Sequence, residues 1–305
     1  MKLQGCRVLI GREGVALYGS KRVLADCECE CCVGASILGA AYSALDMRAC
    51  VCKKSPRYGI MVTKSDCRLE GVTVAGSAVG FSLEDIESYA EVAECKAMDV
   101  MGQGLLVSGA GARAHVQGFE MRVAAQRQAH GSSGHPVGIC VVEAGRVHLD
   151  NCKLAAGSDG AAVHATGEGT EVQGEDCQLS GGAGAGAEDG AQMTLRRCAT
   201  HECVTTGYSA SKRAALSLHN CTSTGDYFGF TCIDQGHLHA QDCELHGFCG
   251  GAVVSSENGM GGATCKLDRC RFVDPEPSPT ERQDNAFCKC GCCPFAAGVG
   301  VYVDG

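Results

Sequence analysis

A short frame, an apolar residue followed three positions later by cysteine, recurs along the whole chain at intervals near 23 residues. It is visible in RVHLDNCKL, MTLRRCAT, LSLHNCTS, HLHAQDCEL and CKLDRCRF. Taking the cysteine as a reference position gives Cys6, Cys27, Cys50, Val72, Cys95, Phe119, Cys152, Cys177, Cys198, Cys221, Cys243 and Cys270. The spacings are 21, 23, 22, 23, 24, 33, 25, 21, 23, 22 and 27 residues, so all but two lie between 21 and 25. A period of that length is too short for paired-helix repeats and fits a coil of three strands.

Patterning around the reference position supports strands. Three residues earlier stand Leu3, Leu24, Met47, Leu69, Val92, Val116, Leu149, Gly174, Leu195, Leu218, Ala240 and Leu267, a column that only Gly174 interrupts. Two residues later come Val8, Cys29, Cys52, Val74, Ala97, Met121, Leu154, Leu179, Thr200, Ser223, Leu245 and Phe272. Period-2 alternation on both sides of a kink reads as two short strands meeting at a bend. Asp150-Asn151, Asp176, Asn220, Asp242 and Asp268 mark the bend with residues that tolerate a left-handed backbone. A third strand follows and opens with glycine at Gly14, Gly59, Gly80, Gly104, Gly138, Gly160, Gly229, Gly251 and Gly298.

The expected fold is therefore all-β: a right-handed parallel β-helix solenoid of about twelve coils of about 23 residues, with three parallel sheets around one core. Residues 1–305 form one such domain, about 58 Å long at ~4.8 Å per coil. The spacing of 33 places one insertion near 125–136, and a second, near 274–295, separates the strand after Cys270 from the one led by Gly298, so both leave the same corner of the coil. Repeat proteins carry binding specificity on such loops.

This repeat and its turn chemistry resemble the pectin-lyase-like superfamily of right-handed β-helices, from Leu3 to Val303. The resemblance implies the fold far more strongly than any activity. Its secreted polysaccharide enzymes need paired outward carboxylates, or carboxylates with Lys or Arg, and glycoside hydrolysis needs two carboxyls about 5–10 Å apart. The outward positions on the glycine-led strands read as Met61, Thr63, Ser82, Cys140, Val142, His164, Ser209, Ser211 and Thr231, without a carboxylate pair. Asp234 and Glu257 fall in turns. The polygalacturonase motifs NTD, DD, GHG and RIK are absent, as is Trp. The chain looks more like the non-catalytic β-helix modules of larger assemblies, so no catalytic residue is expected.

Twenty-four cysteines in a chain whose N-terminus, MKLQGCRVLIG, lacks the apolar stretch of a signal peptide point to free thiols in a reducing, intracellular compartment. A thiol at the reference position acts as a small core hydrophobe. Ladder disulfides between adjacent coils are the geometric alternative. In the cluster Cys27, Cys29, Cys31 and Cys32, the first three are expected to alternate inward. A second cluster, Cys288, Cys290, Cys292 and Cys293, lies in an insertion, where thiolate ligands would suit zinc, although CxCxCC departs from the usual CxxC pair. No other cofactor is implied. The His residues are scattered: His237 and His239 share a strand face and His130 and His135 a loop, without a partner at fixed spacing.

With a net charge of −9 and Lys and Arg scattered singly, the chain lacks the positive footprint that nucleic acid or an anionic membrane requires. Protein partners at the corner loops and at the sheet edges of the first and last coils remain. The latter assume a piece of a longer polypeptide, or a subunit with covered ends. The expected function is a structural or interaction module in a cytoplasmic, cytoskeletal or ciliary assembly. The alternative is a carbohydrate-active or carbohydrate-binding protein.

Overall fold

In the computed structural model, residues 2–85, 89–123, 135–247, 250–255, 262–273 and 299–303 are described. They form three parallel sheets of twelve strands each and contain no helix. The first sheet runs from Lys2–Gln4 to Thr264–Asp268, the second from Arg7–Gly11 to Arg271–Val273, the third from Val15–Tyr18 to Val299–Val303. Every strand pairs with the strand three elements away in sequence, so each coil lies on the one before. Eleven steps separate the first and last strands of a sheet, or about 53 Å at ~4.8 Å each.

The frame read from the sequence is the bend between the first and second sheets. At all twelve bends the residue before the reference position has a positive φ: Gly5, Asp26, Ala49, Gly71, Glu94, Gly118, Asn151, Asp176, Arg197, Asn220, Asp242 and Arg269. Asp150 and Asp268 stand one residue too early, as the last residues of their first-sheet strands. Ala49, Glu94, Arg197 and Arg269 hold a conformation costing roughly 1–2 kcal/mol for a residue with a Cβ. The hydrogen-bond ladder continues through the bend and offsets that cost. The Asp176 N–H donates to the Arg196 carbonyl at 3.1 Å, and the Gln178 N–H to the Cys152 carbonyl at 2.8 Å.

The cysteine does more than fill space. Its thiol donates across the bend to the carbonyl two residues back, at 3.2 Å in Cys27, 3.3 Å in Cys50, Cys95, Cys177 and Cys243, and 3.4 Å in Cys198. A small apolar side chain with a weak donor fits a corner whose carbonyl has a spare lone pair. Cys152, Cys177, Cys198, Cys221 and Cys243 are buried, while Cys6 is exposed and Cys270 half-buried in the outer coils. Cys31 is exposed as well: its φ of +57° reverses the alternation, and Cys32 turns inward instead.

The third-sheet glycines are steric. An added Cβ on Gly59 would lie 2.1 Å from Val74, and on Gly229 2.0 Å from Leu245, both second-sheet side chains that fill the space between the sheets. Two register positions differ from the sequence reading. Gly138 pairs in line with Ala162, since Val137 faces Ala161, so Gly160 lies ahead of its strand. Gly300 takes the column position in the last strand, and Gly298 lies outside the described residues. Ser36, Gly184 and Gly207 complete the column.

Candidate functional site

Outward residues of the first sheet form a polar face. Along its central column, strand partners in register are Val23, Asp46, Arg68, Glu91, His115, His148, Gln173, Thr194, Ser217, His239 and Lys266. Opposite charges meet where the register brings them together: Arg68 with Glu91 at 3.3 Å and Arg146 with Glu171 at 3.2 Å. Arg48 reaches Asp46 at 3.2 Å on its own strand. Two hollows open on this face among the described residues. A cleft of about 380 Å³ is lined by Lys21, Asp46, Arg68, Tyr89 and Glu91, and one of about 220 Å³ by Arg68, Glu70, Glu91, His115 and Gln117. Tyr89 is exposed at the first cleft. Beyond the second, the His115 and His148 rings lie 5.2 Å apart.

The second sheet carries the same kind of ladder, with Lys53 on Glu28 at 2.9 Å and Lys96 on Glu120 at 2.7 Å.

On the third sheet His164 stands between Cys140 and Gly186. Its Nε2 is 3.3 Å from Glu188, which also bonds Lys212. His164, His135, Ser158, Asp159 and Thr205 border a cleft of about 280 Å³ floored by Gly160, Ala161, Gly182 and Ala183. The partner sequence reasoning missed is Glu188, 24 residues away and therefore one coil on. Ser82 and Cys140, read as outward, are buried. The Ser82 hydroxyl donates to Glu84 at 2.5 Å, and the Cys140 thiol is pushed up to about 11 by burial.

A second corner holds a buried polar knot. The Asp226 carboxylate accepts hydrogen bonds from the Thr200 hydroxyl at 2.5 Å, the Cys203 amide at 2.7 Å and the Ser223 hydroxyl at 2.7 Å.

A family model described as right handed beta helix region matches residues 127–272. The chain folds as a right-handed β-helix. The match agrees with the likeness to the pectin-lyase-like superfamily, and the β-helix register extends beyond it to the strands at both ends. No curated protein matches the sequence.

The residues singled out from sequence are distributed as follows in the β-helix. The thiol column is internal, and all the described cysteines are free. Burial raises the Cys50 thiol to about 11 and the Cys95 thiol to about 12, so neither is a ready thiolate. Asp234 lies in a turn with φ +47°. His237 and His239 do share the outward face of strand His237–Gln241, and the His237 ring meets the Thr264 hydroxyl at 2.7 Å. Cys288, Cys290, Cys292, Cys293, His130 and Glu257 lie outside the described residues. Among the described residues no group of three or more His, Cys, Asp or Glu is placed to hold a metal. The strands flanking the insertions, Glu120–Val123 with Val137–Val142 and Arg271–Val273 with Val299–Val303, belong to the second and third sheets, so both leave the same corner.

Proposed function

We propose that this β-helix is a non-enzymatic module that holds protein partners in a larger intracellular assembly of cytoskeletal or ciliary type. The observation that carries this reading is the state of its outward acids. Among the described residues, where a carboxyl group is displaced from its ordinary range the displacement is downward: Lys54 lowers Glu30, Lys96 lowers Glu120, Arg197 lowers Asp176, Lys212 lowers Glu188, and Arg269 lowers Asp242. A general acid for glycoside cleavage must keep its proton near neutral pH, which requires the opposite shift. Charge-paired faces are suited to a rigid rod, and two insertions at one corner supply loops for recognition. Free thiols throughout the described residues favour a reducing compartment.

Proximity labelling of the chain in its native cell tests this. A discrete set of protein neighbours, lost when residues 125–136 or 274–295 are replaced by a short Gly-Ser linker, is the expected result. Cleavage of a glycan by the purified chain, abolished by a single Asp or Glu substitution, would overturn it.

A second reading, carbohydrate binding, is favoured by one feature, the exposed Tyr89 beside the charged cleft of the first sheet. Asp46 and Glu91 sit two coils apart there, about 10 Å along the sheet. Both face a guanidinium, which suits holding a sugar better than protonating one. Binding without cleavage on a glycan panel, lost in Tyr89→Ala, is the result this reading expects.

A further inference from the structure

The first sheet pairs opposite charges at Arg68 with Glu91 and at Arg146 with Glu171, but it also sets basic groups side by side. Arg113-Ala-His115 and Arg146-Val-His148 occupy adjacent strands, with Arg113 facing Arg146 and His115 facing His148. Like charges directly opposite on a sheet are destabilising, so such a doubling calls for a compensating anion.

Among the described residues the surrounding acids supply a partner to Arg146 alone. On the strand before, Glu91 is engaged by Arg68 at 3.3 Å. On the strand after, Glu171 is engaged by Arg146 at 3.2 Å and Glu175 by Arg197. Asp150, on the same strand as His148, accepts from the Gln117 amide at 3.3 Å. Arg113 has no acidic partner among the described residues, and the two imidazoles contact each other.

We propose that Arg113, His115, Arg146 and His148 bind a doubly charged tetrahedral oxyanion of the kind a phosphate or sulfate group presents. Adjacent strands are ~4.8 Å apart and alternate residues along a strand ~6.6 Å apart, so the four side chains frame an area about the size of one such group. The Arg113 guanidinium, the Arg146 N–H groups left over from its pair with Glu171, and two imidazole N–H donors match its oxygens. The hollow of about 220 Å³ beside His115 leaves room for the group's ester substituent. A chain of net charge −9 repels anions at long range, so binding here depends on these local donors.

The test is a titration of the full chain with sodium phosphate, sodium sulfate or sodium acetate at matched ionic strength, followed by the imidazole NMR signals. Saturable shifts of His115 and His148 with phosphate or sulfate, and none with acetate, are expected. Saturation by phosphate alone assigns the site to phosphate groups, by sulfate alone to sulfate groups, and by both to either. Arg113→Gln should weaken binding about tenfold, the loss of one charge-assisted contact. Arg196→Gln, an equally exposed change on the same sheet, should leave it unaltered. Shifts that merely follow ionic strength, or equal affinity in Arg113→Gln, would overturn the proposal. His148→Gln provides a second variant on the opposite strand.

Discussion

The carboxylate of Asp226 accepts a 2.7 Å hydrogen bond from the backbone N–H of Cys203, one coil earlier. It also accepts from Thr200 and Ser223, so one buried acid fastens the corners of two successive coils. Asp226→Ala leaves three donors without an acceptor and should lower stability by about 3 kcal/mol or more. Asp226→Asn keeps the shape but turns an NH2 group towards a donor, and should fall between Ala and wild type. Chemical denaturation of the three proteins gives the order directly.

The bend thiols make a different demand. If the Cys198 thiol matters as a donor to the Arg196 carbonyl, Ser can replace it better than Ala can, despite burying a hydroxyl. Cys198→Ala should cost about 1–2 kcal/mol, and Cys198→Ser less. The reverse order of denaturation midpoints would reduce the thiol to a space-filler.

Glycine is required where the third sheet passes the second. Gly229→Ala places a Cβ 2.0 Å from Leu245, and the backbone cannot withdraw without breaking the ladder to Gly251. Loss of about 3 kcal/mol is expected. Gly5→Ala, at a position with nothing within 4 Å, tests instead the left-handed backbone alone and should cost about 1–2 kcal/mol.

Alkaline pH should weaken the fold. Burial raises Cys95 to about 12 and Cys140 to about 11, against an ordinary thiol value of 9.0. A group whose folded pKa is raised contributes stability that is complete below the unfolded value and is lost as pH rises through the folded one. The free energy of unfolding should therefore hold up to about pH 9 and decline from there to pH 11–12, by roughly 3 kcal/mol for a thiol displaced as far as Cys140. The exposed carboxylates lowered by Arg or Lys act at the other end, weakening the fold only as pH falls into the acid range. A stability curve flat between pH 9 and 11 would contradict the assignment of these thiols to the core.

What the sequence revealed follows from which positions recur. The reference column and the apolar column three residues earlier repeat because both point into one core, and each coil must meet the same neighbours. The bend is legible for the same reason, yet its left-handed residue is not: Ala49, Glu94 and Arg197 share a backbone that only Asn, Asp and Gly advertise. Gly160 misled because its coil carries Ala162 at the column position, where a glycine was sought. Outward positions follow no shared rule, so His164 and Glu188, or Arg113 and Arg146, meet only once the register is known. The enlarged spacing of 33 residues hides the second of these pairs by separating its members by one insertion.

The central claim is a continuous solenoid whose bends turn one thiol column inward. Native-state labelling with a thiol reagent near neutral pH, read by peptide mass spectrometry, tests it most directly. Cys6 and Cys31 should react promptly, while Cys152, Cys177, Cys198, Cys221 and Cys243 react only on unfolding. Prompt native labelling of those five would place the column at the surface and contradict the register on which every site described above depends.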